Sequence, residues 1–405
     1  MPNPIAVQFR NQWRNPADIL SLLLLIGGDI VQKAIAQLVG YSIPSLGIPL
    51  VPVAFSFGWV AMGFSQLVSA VGERRLMPAP ESEAFVINCA NTFQRTNKSW
   101  VLERLLRDHE IIYRKNERNL SLRIDIFELG ALRQPKRDSV WWLGWLTTIA
   151  QISIAIPPWV LNGDWGIMLI TLSGAALAFA SSSLPQWKEE KWAGRDLEKD
   201  NVLCLTRGNG HRHAMIILGT VGSPDLEVYA TAMASPRAET PIATFILAAL
   251  WVCLLLCVSA VKDDAWYLVG IGGLGMLQNV YAAGKTRHPD TTGLNLRKFE
   301  RMPTIIGRHQ DVTPEQDANV NLDEASQDVA ALHDWVTRLD GHKESMPSWL
   351  NSMQGDGVPA WLAPLGKGVA ATGVHGALKE LEKWVPGAGP RPAADILPWE
   401  HTVRG

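Results

Sequence analysis

Long uncharged stretches alternate with polar segments along this chain, and the alternation is its strongest pattern. Five runs contain no charged residue: 40–72, 140–161, 166–184, 241–261 and 265–284. A hydrocarbon core of roughly 30 Å requires about 20 apolar residues in a helix. Because each run has about that length or more, the pattern predicts five transmembrane helices.

A sixth membrane helix is predicted between residues 15 and 39, which read NPADILSLLLLIGGDIVQKAIAQLV. Asn15 is a suitable N-cap, Pro16 suits the first helical position, and Asp18 favours the positive end of the helix dipole. We therefore count this segment as the first of six spans.

The distribution of Lys and Arg predicts the orientation of these helices. Basic residues are concentrated in 73–139 and 186–240, whereas the segments 41–47 and 162–164 contain none. Basic residues close to the ends of membrane helices favour the cytoplasmic side. Six helices therefore place both termini and both long loops in the cytosol.

The two long loops carry patterns of folded structure. Residues 98–114 have helical periodicity, residues 119–129 alternate as a strand does, and 202–207 with 211–218 form a hairpin around Gly208-Asn209-Gly210. A further strand is predicted at 226–233. Since neither loop alone offers much apolar surface, we expect them to pack into one small domain.

These observations together predict an α-helical integral membrane protein with about six transmembrane helices in three hairpins. A small cytosolic α+β domain is built from the two long loops. The expected segments are 1–72 (N-terminal segment and first hairpin), 73–139 (cytosolic loop), 140–185 (second hairpin), 186–240 (cytosolic loop), 241–284 (third hairpin) and 285–405 (tail). Two short amphipathic helices are predicted in the tail, at 323–339 and 374–385.

One membrane segment contains a polar group, and this is the candidate binding site. Asp29, Gln32 and Lys33 lie inside the first predicted span. The four-residue spacing places Asp29 and Lys33 on one helix face in the favourable order, and we expect that face to point toward other helices. Two interpretations remain open: a polar clasp that holds the first hairpin, or an intramembrane ligand or proton site.

Other motifs do not support a cofactor, a metal or a catalytic residue. Gly270-Ile-Gly-Gly-Leu-Gly275 matches a dinucleotide-binding pattern, but it lies inside an uncharged run rather than between a strand and a helix. His211, His213 and Cys204 lack the spacing of a zinc site. The balance of 37 basic against 39 acidic residues predicts no nucleic-acid partner.

The run Asn15 to Ala34, together with VAFSFGWVA at residues 53–61, resembles uncharacterised multi-pass membrane proteins of filamentous fungi. The resemblance implies membrane residence and supplies no activity, substrate or site. Three function classes follow. The first is a membrane scaffold or regulator, with the lipid bilayer and a protein as partners. The alternatives are a small-molecule or ion transporter that uses the polar face of the first helix, and a membrane-bound lipid-modifying enzyme.

Overall fold

The computed structural model describes residues 26–42, 49–113, 120–208, 211–261, 264–299, 304–308, 369–385 and 388. Within them the helices are α1 Gly28–Leu38, α2 Trp59–Val71, α3 Trp100–Tyr113, α4 Ser139–Asn162, α5 Gly166–Ser182, α6 Pro185–Lys191, α7 Leu226–Tyr229, α8 Thr240–Ala260, α9 Ala265–Gly284 and α10 Gly373–Trp384. The strands are β1 Phe85–Asn88, β2 Gln94–Thr96, β3 Leu120–Gly130, β4 Asn201–Thr206, β5 His213–Gly219, β6 Asn295–Lys298, β7 Thr304–Arg308 and β8 Val369–Thr372.

The strands form one mixed sheet in the order β2-β1-β4-β5-β3-β7-β8, with β6 also paired to β3. The pairs β3–β5 and β7–β8 are parallel, and the others are antiparallel. Alternate residues face opposite sides, as the pleat requires. Ile124 and Ile126 pack toward Leu378 and Leu381 of α10, whereas Phe127 belongs to the core that includes α3.

We call the eight strands with α3, α7 and α10 the sheet domain. The remaining helices form the bundle, in which α4 packs against α5 and α9, and α8 packs against α2 and α5. Helix α1 packs against α9 and α2. We call the end of the bundle that contacts α3 its sheet end.

The predicted fold class, a six-span helical membrane protein, is wrong. The chain has an α/β fold with a mixed sheet. In the described part of the chain, only α4 and α8 are long and apolar enough to cross a membrane. A third candidate exists if α5 and α6, which meet at an angle of 41°, count as one span.

Two uncharged runs explain much of this difference. Residues 50–57 form neither helix nor strand, so the run 40–72 yields a helix of only 13 residues, α2. Helix α9 has the expected 20 residues, but its glycines with Gln278 and Asn279 lower its hydropathy, and it is not among the candidates. An absence of charge therefore did not distinguish a helix long and apolar enough to cross a membrane from a shorter helix or an irregular core segment.

Several local predictions are confirmed. The helix at 98–114 is α3, the strand at 119–129 is β3, the hairpin is the antiparallel pair β4–β5, and the tail helix at 374–385 is α10. The strand predicted at 226–233 is wrong, because α7 occupies 226–229 and the Asp225 side chain caps it by accepting from Glu227 N at 3.1 Å. The start of the first predicted span and the helix at 323–339 lie outside the described residues.

Candidate functional site

The residues of the predicted intramembrane site all lie on α1, but the structure gives them separate contacts. Asp29 lies in the first turn and is exposed. The Nε2 of Gln32 donates to the carbonyl oxygen of Leu76 at 2.8 Å, and the Nζ of Lys33 pairs with Oε1 of Glu81 at 3.0 Å. The sequence places Asp29 on an inward face and beside Lys33, whereas the structure places it at the surface and pairs Lys33 outside its own helix.

The N-termini of α1 and α2 meet inside the bundle. Gly27 and Gly58 precede these helices with φ of +88° and +110°, and neither position provides a side-chain cap. A Cβ on Gly58 would lie 2.7 Å from the carbonyl oxygen of Ile26, so the two helix starts are in contact. Because both N-termini carry partial positive charge, Asp29 lies beside two positive helix ends.

Residues 50–57 enter the bundle as a segment without helix or strand that reaches this meeting point. The segment starts at the sheet end, where Leu50 N donates to Tyr41 O at 2.9 Å. The chain then returns to the sheet end as α2, after which Gln186 Nε2 donates to Arg74 O at 3.0 Å. Residues 50–71 therefore form a re-entrant segment, which enters and leaves the bundle at the same end.

Three buried amide side chains bind the backbone of the re-entrant segment. Gln151 Nε2 donates to Phe55 O at 2.6 Å, and Gln278 Oε1 accepts from Ala54 N at 3.2 Å. Asn279 Nδ2 donates to the hydroxyl of Ser56 at 2.7 Å and to Ala54 O at 3.3 Å. A backbone that forms neither helix nor strand in an apolar interior has unpaired polar groups, and these amides pair several of them. The buried polar residues of α4 and α9 thus hold the fold together.

Charged residues connect the bundle to the sheet domain through helix C-termini. Arg104 of α3 is buried and donates from Nη2 to Ala283 O at 2.5 Å and to Lys285 O at 3.1 Å. Arg287 donates from Nη1 to Gln37 O at 2.7 Å. These carbonyls belong to the ends of α9 and α1, where unpaired acceptors and the helix dipole favour cations.

Two carboxylates, Asp108 and Asp138, complete this connection. We call the group of Arg104, Asp108, Asp138 and Arg287 the junction. Asp138 accepts from Arg287 at 2.7 and 2.9 Å, and Asp108 pairs with Arg104 at 3.4 Å while accepting from Arg287 N at 3.0 Å. Burial lowers the pKa of Arg104 to about 10, so it remains charged at neutral pH. The junction therefore ties α3 to two bundle helices through charge-assisted hydrogen bonds.

A second polar cluster surrounds Asp125 in the sheet domain. Its Oδ2 lies 2.9 Å from His109 Nε2 and 2.6 Å from Arg123 Nε, and its Oδ1 accepts from Thr304 Oγ1 at 2.6 Å. Burial alone would raise the pKa of Asp125, but the bonds from His109 and Arg123 outweigh burial and hold it well below its usual range. Asp125 is therefore a permanent anion in the folded protein.

His213 lies beside this cluster, with its ring 5.9 Å from that of His109. Burial, with the positive charges around it, lowers the pKa of His213 to about 4. An aspartate that orients a histidine is typical of general-base catalysis. Here the contact between His109 and Asp125 joins α3 to β3, and this ion network fixes the helix on the sheet.

Sequence reasoning missed the Asp125 cluster because its members lie on different elements. The available signal was in β3, where Arg123 and Asp125 alternate with the buried Ile124 and Ile126. Such a pattern normally indicates that the face of the strand with the charged residues is exposed to solvent. Only the packing of α3 buries this face of β3. Among the described residues there is no group of three side chains suited to a metal.

The zinc ligands considered from the sequence do not converge. Cys204 packs in the core on the α10 side of the sheet, whereas His213 lies on the α3 side beside His109. Comparison of the chain with protein-family models, with curated proteins and with solved structures finds no match. The resemblance to fungal multi-pass membrane proteins therefore stays a prediction, and the function has to be argued from the geometry.

Proposed function

We propose that this chain is a multi-pass integral membrane protein that acts as a scaffold or regulator. In this proposal the bundle lies in the lipid bilayer, and the sheet domain lies on the membrane surface and binds a protein partner. The observation that carries the proposal is the combination of lipid-compatible outer surfaces on the bundle with a charged junction to a folded polar domain.

The outer surface of the bundle is apolar over the length of its candidate spans. On α4 and α8, large apolar side chains are exposed in successive turns: Leu146, Ile149, Ile156, Val160, Ile242, Phe245, Ile246, Leu250 and Leu256. Soluble monomers rarely expose contiguous apolar patches above a few hundred Å². Contact with lipid removes such a surface from water, which stabilises the protein by about 25 cal/mol for each Å².

The arrangement of charge supports one orientation. The sheet end of the bundle carries the junction and the basic loops, whereas the connection between α4 and α5 contains no Lys or Arg. By the positive-inside tendency, we propose that the sheet domain and both termini are cytosolic. Crossing helices are proposed for α4, α8 and the bent pair α5–α6. Helix α9 then returns the chain from the far end of α8 to the junction, as the contacts of Ala283 and Lys285 with Arg104 require, and α2 enters only part of the depth.

The junction supports a regulatory role. Arg104 and Arg287 join α3 to the C-termini of α1 and α9, and α3 in turn bears His109, which contacts Asp125 in the sheet. A shift of α1 or α9 would therefore be passed through α3 to the sheet. This gives a direct physical path from the membrane region to the surface of the sheet domain.

Two experiments test this proposal. Alkaline extraction followed by flotation should leave the full chain in the membrane fraction, and release into the soluble fraction would contradict membrane insertion. A photo-crosslinking residue at exposed Phe93 of the sheet domain should then capture a discrete protein adduct. The same residue at exposed Asn162, at the opposite end of the bundle, is the matched control. Adducts at neither position, or the same adduct at both, would contradict the scaffold function.

A second candidate function is transport, and one observation favours it. Asp29 is exposed beside the uncapped N-termini of α1 and α2, and the same helix bears Lys33, which pairs with Glu81 near the sheet end. If the face of α1 that bears Asp29 is a route for ions, Asp29→Asn should reduce ion flux into reconstituted vesicles. Asp264→Asn, the control variant, should not reduce it. Equal flux from both variants would contradict a role for Asp29. A lipid-modifying activity stays a prediction without a supporting contact.

A further inference from the structure

The exposed tryptophans of α4 mark the levels of the two membrane surfaces in the proposed orientation. Trp142 and Trp159 are 56% and 53% exposed, and a helix rise of 1.5 Å per residue gives about 26 Å between these positions. The hydrocarbon core is roughly 30 Å thick, and Trp side chains favour its two interfaces. Trp142 lies in the first turn of α4, at the sheet end. The residues that directly precede α4 therefore lie at the level of the cytosolic headgroups.

Arg137 is the first of two cations at this level. It is exposed, and its guanidinium carbon lies over the Tyr41 ring, 4.0 Å from the ring centre, and 5.2 Å from the ring centre of Trp141. Tyr41 and Trp141 also contact each other edge to face, with ring centres 5.7 Å apart. Stacking on aromatic rings holds the plane of a guanidinium while its N–H groups can still donate. Since no carboxylate of the described residues pairs with Arg137, these donors are available to a ligand.

Lys188 of α6 is the second cation. It is exposed, and its Nζ donates to the hydroxyl of Ser42 at 3.2 Å. Ser42 follows Tyr41 in the chain, and its carbonyl oxygen accepts from Gln134 Nε2 at 3.2 Å. Lys188 and Arg137 therefore converge on the same short stretch of chain, residues 41–42. We call the group of Tyr41, Arg137, Trp142 and Lys188 the basic patch.

The acidic residues close to the basic patch are bound within the protein. Four of them have partners in the structure, each at 2.5–2.8 Å: Asp138, Asp290, Glu189 and Glu190. Asp138 pairs with Arg287 of the junction, and Asp290 pairs with Lys136. None of these contacts involves Arg137 or Lys188, so the patch keeps its positive charge.

The wider charge distribution at the sheet end also favours an anionic partner here. The linkers 131–138 and 285–294, which lead into α4 and out of α9, contain five Lys or Arg against two Asp. Two other linkers between the bundle and the sheet domain, 72–84 and 231–239, contain three Arg against four Glu. Positive charge is therefore concentrated around the basic patch rather than spread over all the linkers.

An apolar surface continues from the basic patch along α4. Trp142, Leu146 and Ile149 follow one another at spacings of four and three residues, which places them on one face of the helix. Leu146 and Ile149 are 62% and 61% exposed. A phospholipid whose headgroup contacts Arg137 would place an acyl chain along this face and cover these side chains. The surface thus fits a molecule with an anionic head and a hydrocarbon chain.

We propose that the basic patch binds the headgroup of an anionic phospholipid in the cytosolic leaflet, with Arg137 and Lys188 donating to its phosphate group. Arg binds phosphate oxygens through paired, charge-assisted hydrogen bonds. Clusters of basic residues at the cytosolic ends of membrane helices bind anionic lipids. The inference rests on the proposed membrane location, because that location brings the patch to lipid. Since Arg137 directly precedes Asp138, the bound lipid would lie one residue from the junction.

The test measures lipid binding to the purified full chain in detergent by native mass spectrometry. Phosphatidylglycerol and phosphatidylcholine with identical acyl chains are titrated separately, and phosphatidylglycerol should bind more tightly. Arg137→Gln and Lys188→Gln should each weaken phosphatidylglycerol binding by about fivefold, the size expected for one basic residue at an anionic membrane surface. Both side chains are exposed, so both variants should fold.

Arg74→Gln is the matched control, because Arg74 is also exposed and lies in a linker at the sheet end but outside the basic patch. The proposal is overturned if Arg137→Gln or Lys188→Gln binds phosphatidylglycerol as the wild type does, or if Arg74→Gln weakens binding equally. It is also overturned if both lipids bind with the same affinity. Full displacement of phosphatidylglycerol by glycerol phosphate would assign the patch to soluble phosphates and refute the lipid.

Failure of this inference can be separated from failure of the proposed function. Flotation with pure phosphatidylcholine vesicles measures membrane insertion without any anionic lipid. Insertion with no preference for phosphatidylglycerol would overturn the basic patch alone. Loss of insertion, with binding to phosphatidylglycerol vesicles that still depends on Arg137, would overturn the multi-pass membrane function and retain the patch as a surface for anionic lipid.

Discussion

The contact between α9 and the re-entrant segment predicts opposite effects for the same substitution at two glycines of one helix. Gly275 lies against the backbone of Phe55, and a Cβ there would overlap its carbonyl oxygen and lie 2.7 Å from Gln151 Nε2. Gly270 is exposed, and a Cβ there would meet no atom within 4 Å. The pair Gly275→Ala and Gly270→Ala therefore tests whether the re-entrant segment lies where the structure places it.

The magnitude follows from two contributions. Replacing Gly by Ala in a helix stabilises it by about 0.8–1.0 kcal/mol, and this contribution is the same at both positions. At Gly275 the added methyl group also forces the segment away from α9, and overpacking of this kind costs about 1–3 kcal/mol. Because the opposing atom is backbone rather than a flexible side chain, we expect the upper part of that range. Gly270→Ala should stabilise the protein, and Gly275→Ala should destabilise it by about 2 kcal/mol.

Thermal unfolding in detergent, followed by tryptophan fluorescence, measures the difference. A change of 1 kcal/mol shifts the Tm of a domain of 150–250 residues by about 2–4 °C. The Tm of Gly275→Ala should therefore lie several degrees below that of Gly270→Ala. Equal Tm values, or a higher Tm for Gly275→Ala, would refute the close approach of the re-entrant segment to α9.

Three further predictions concern the sheet domain. Asp125→Asn should lower the free energy of unfolding by about 3–5 kcal/mol, because it leaves the buried Arg123 without its carboxylate. In denaturant titrations the control Asp290→Asn, which removes an ion pair with the exposed Lys136, should cost less than about 1 kcal/mol. Equal costs would contradict the network. The pKa of His213 is about 4 in the folded protein and 6.5 ordinarily. The contribution of neutral, buried His213 to stability is therefore complete above pH 6.5 and is lost as the pH falls toward 4. His213→Asn should reduce the dependence of the unfolding free energy on pH between 6.5 and 4, whereas substitution of the exposed His211 by Asn should not. Burial raises the pKa of the Cys204 thiol to about 12, so a maleimide should label it only after unfolding, and labelling in the folded protein would contradict its burial.

Local structure was predictable from the sequence wherever neighbouring residues decide it. The strand β3 and the helix α3 follow from their periodicity, and the β4–β5 hairpin follows from the turn between them. The short helix α7 was missed because Asp225, an effective N-cap, outweighs the β-branched residues that favour a strand. Even here, a single capping contact changed the type of element.

The candidate sites were much less predictable. Asp29 and Lys33 attracted attention because of their spacing, but Lys33 pairs with Glu81, which follows α2 in the chain. The junction joins Arg104 to carbonyls 179 and 181 residues away, and no spacing rule identifies such partners.

The sequence by itself determined which segments are apolar, because hydrophobicity belongs to each residue whatever fold the chain adopts. Only the tertiary structure decided how each run is arranged and buried. Residues 50–57 lie in the bundle without helix or strand because Gln151, Gln278 and Asn279 bind their backbone and Gly275 admits it closely. Hydrogen-bond partners for such a buried backbone come from distant parts of the chain. The sequence therefore predicted apolar character correctly and overestimated the number of helices that are long and apolar enough to cross a membrane.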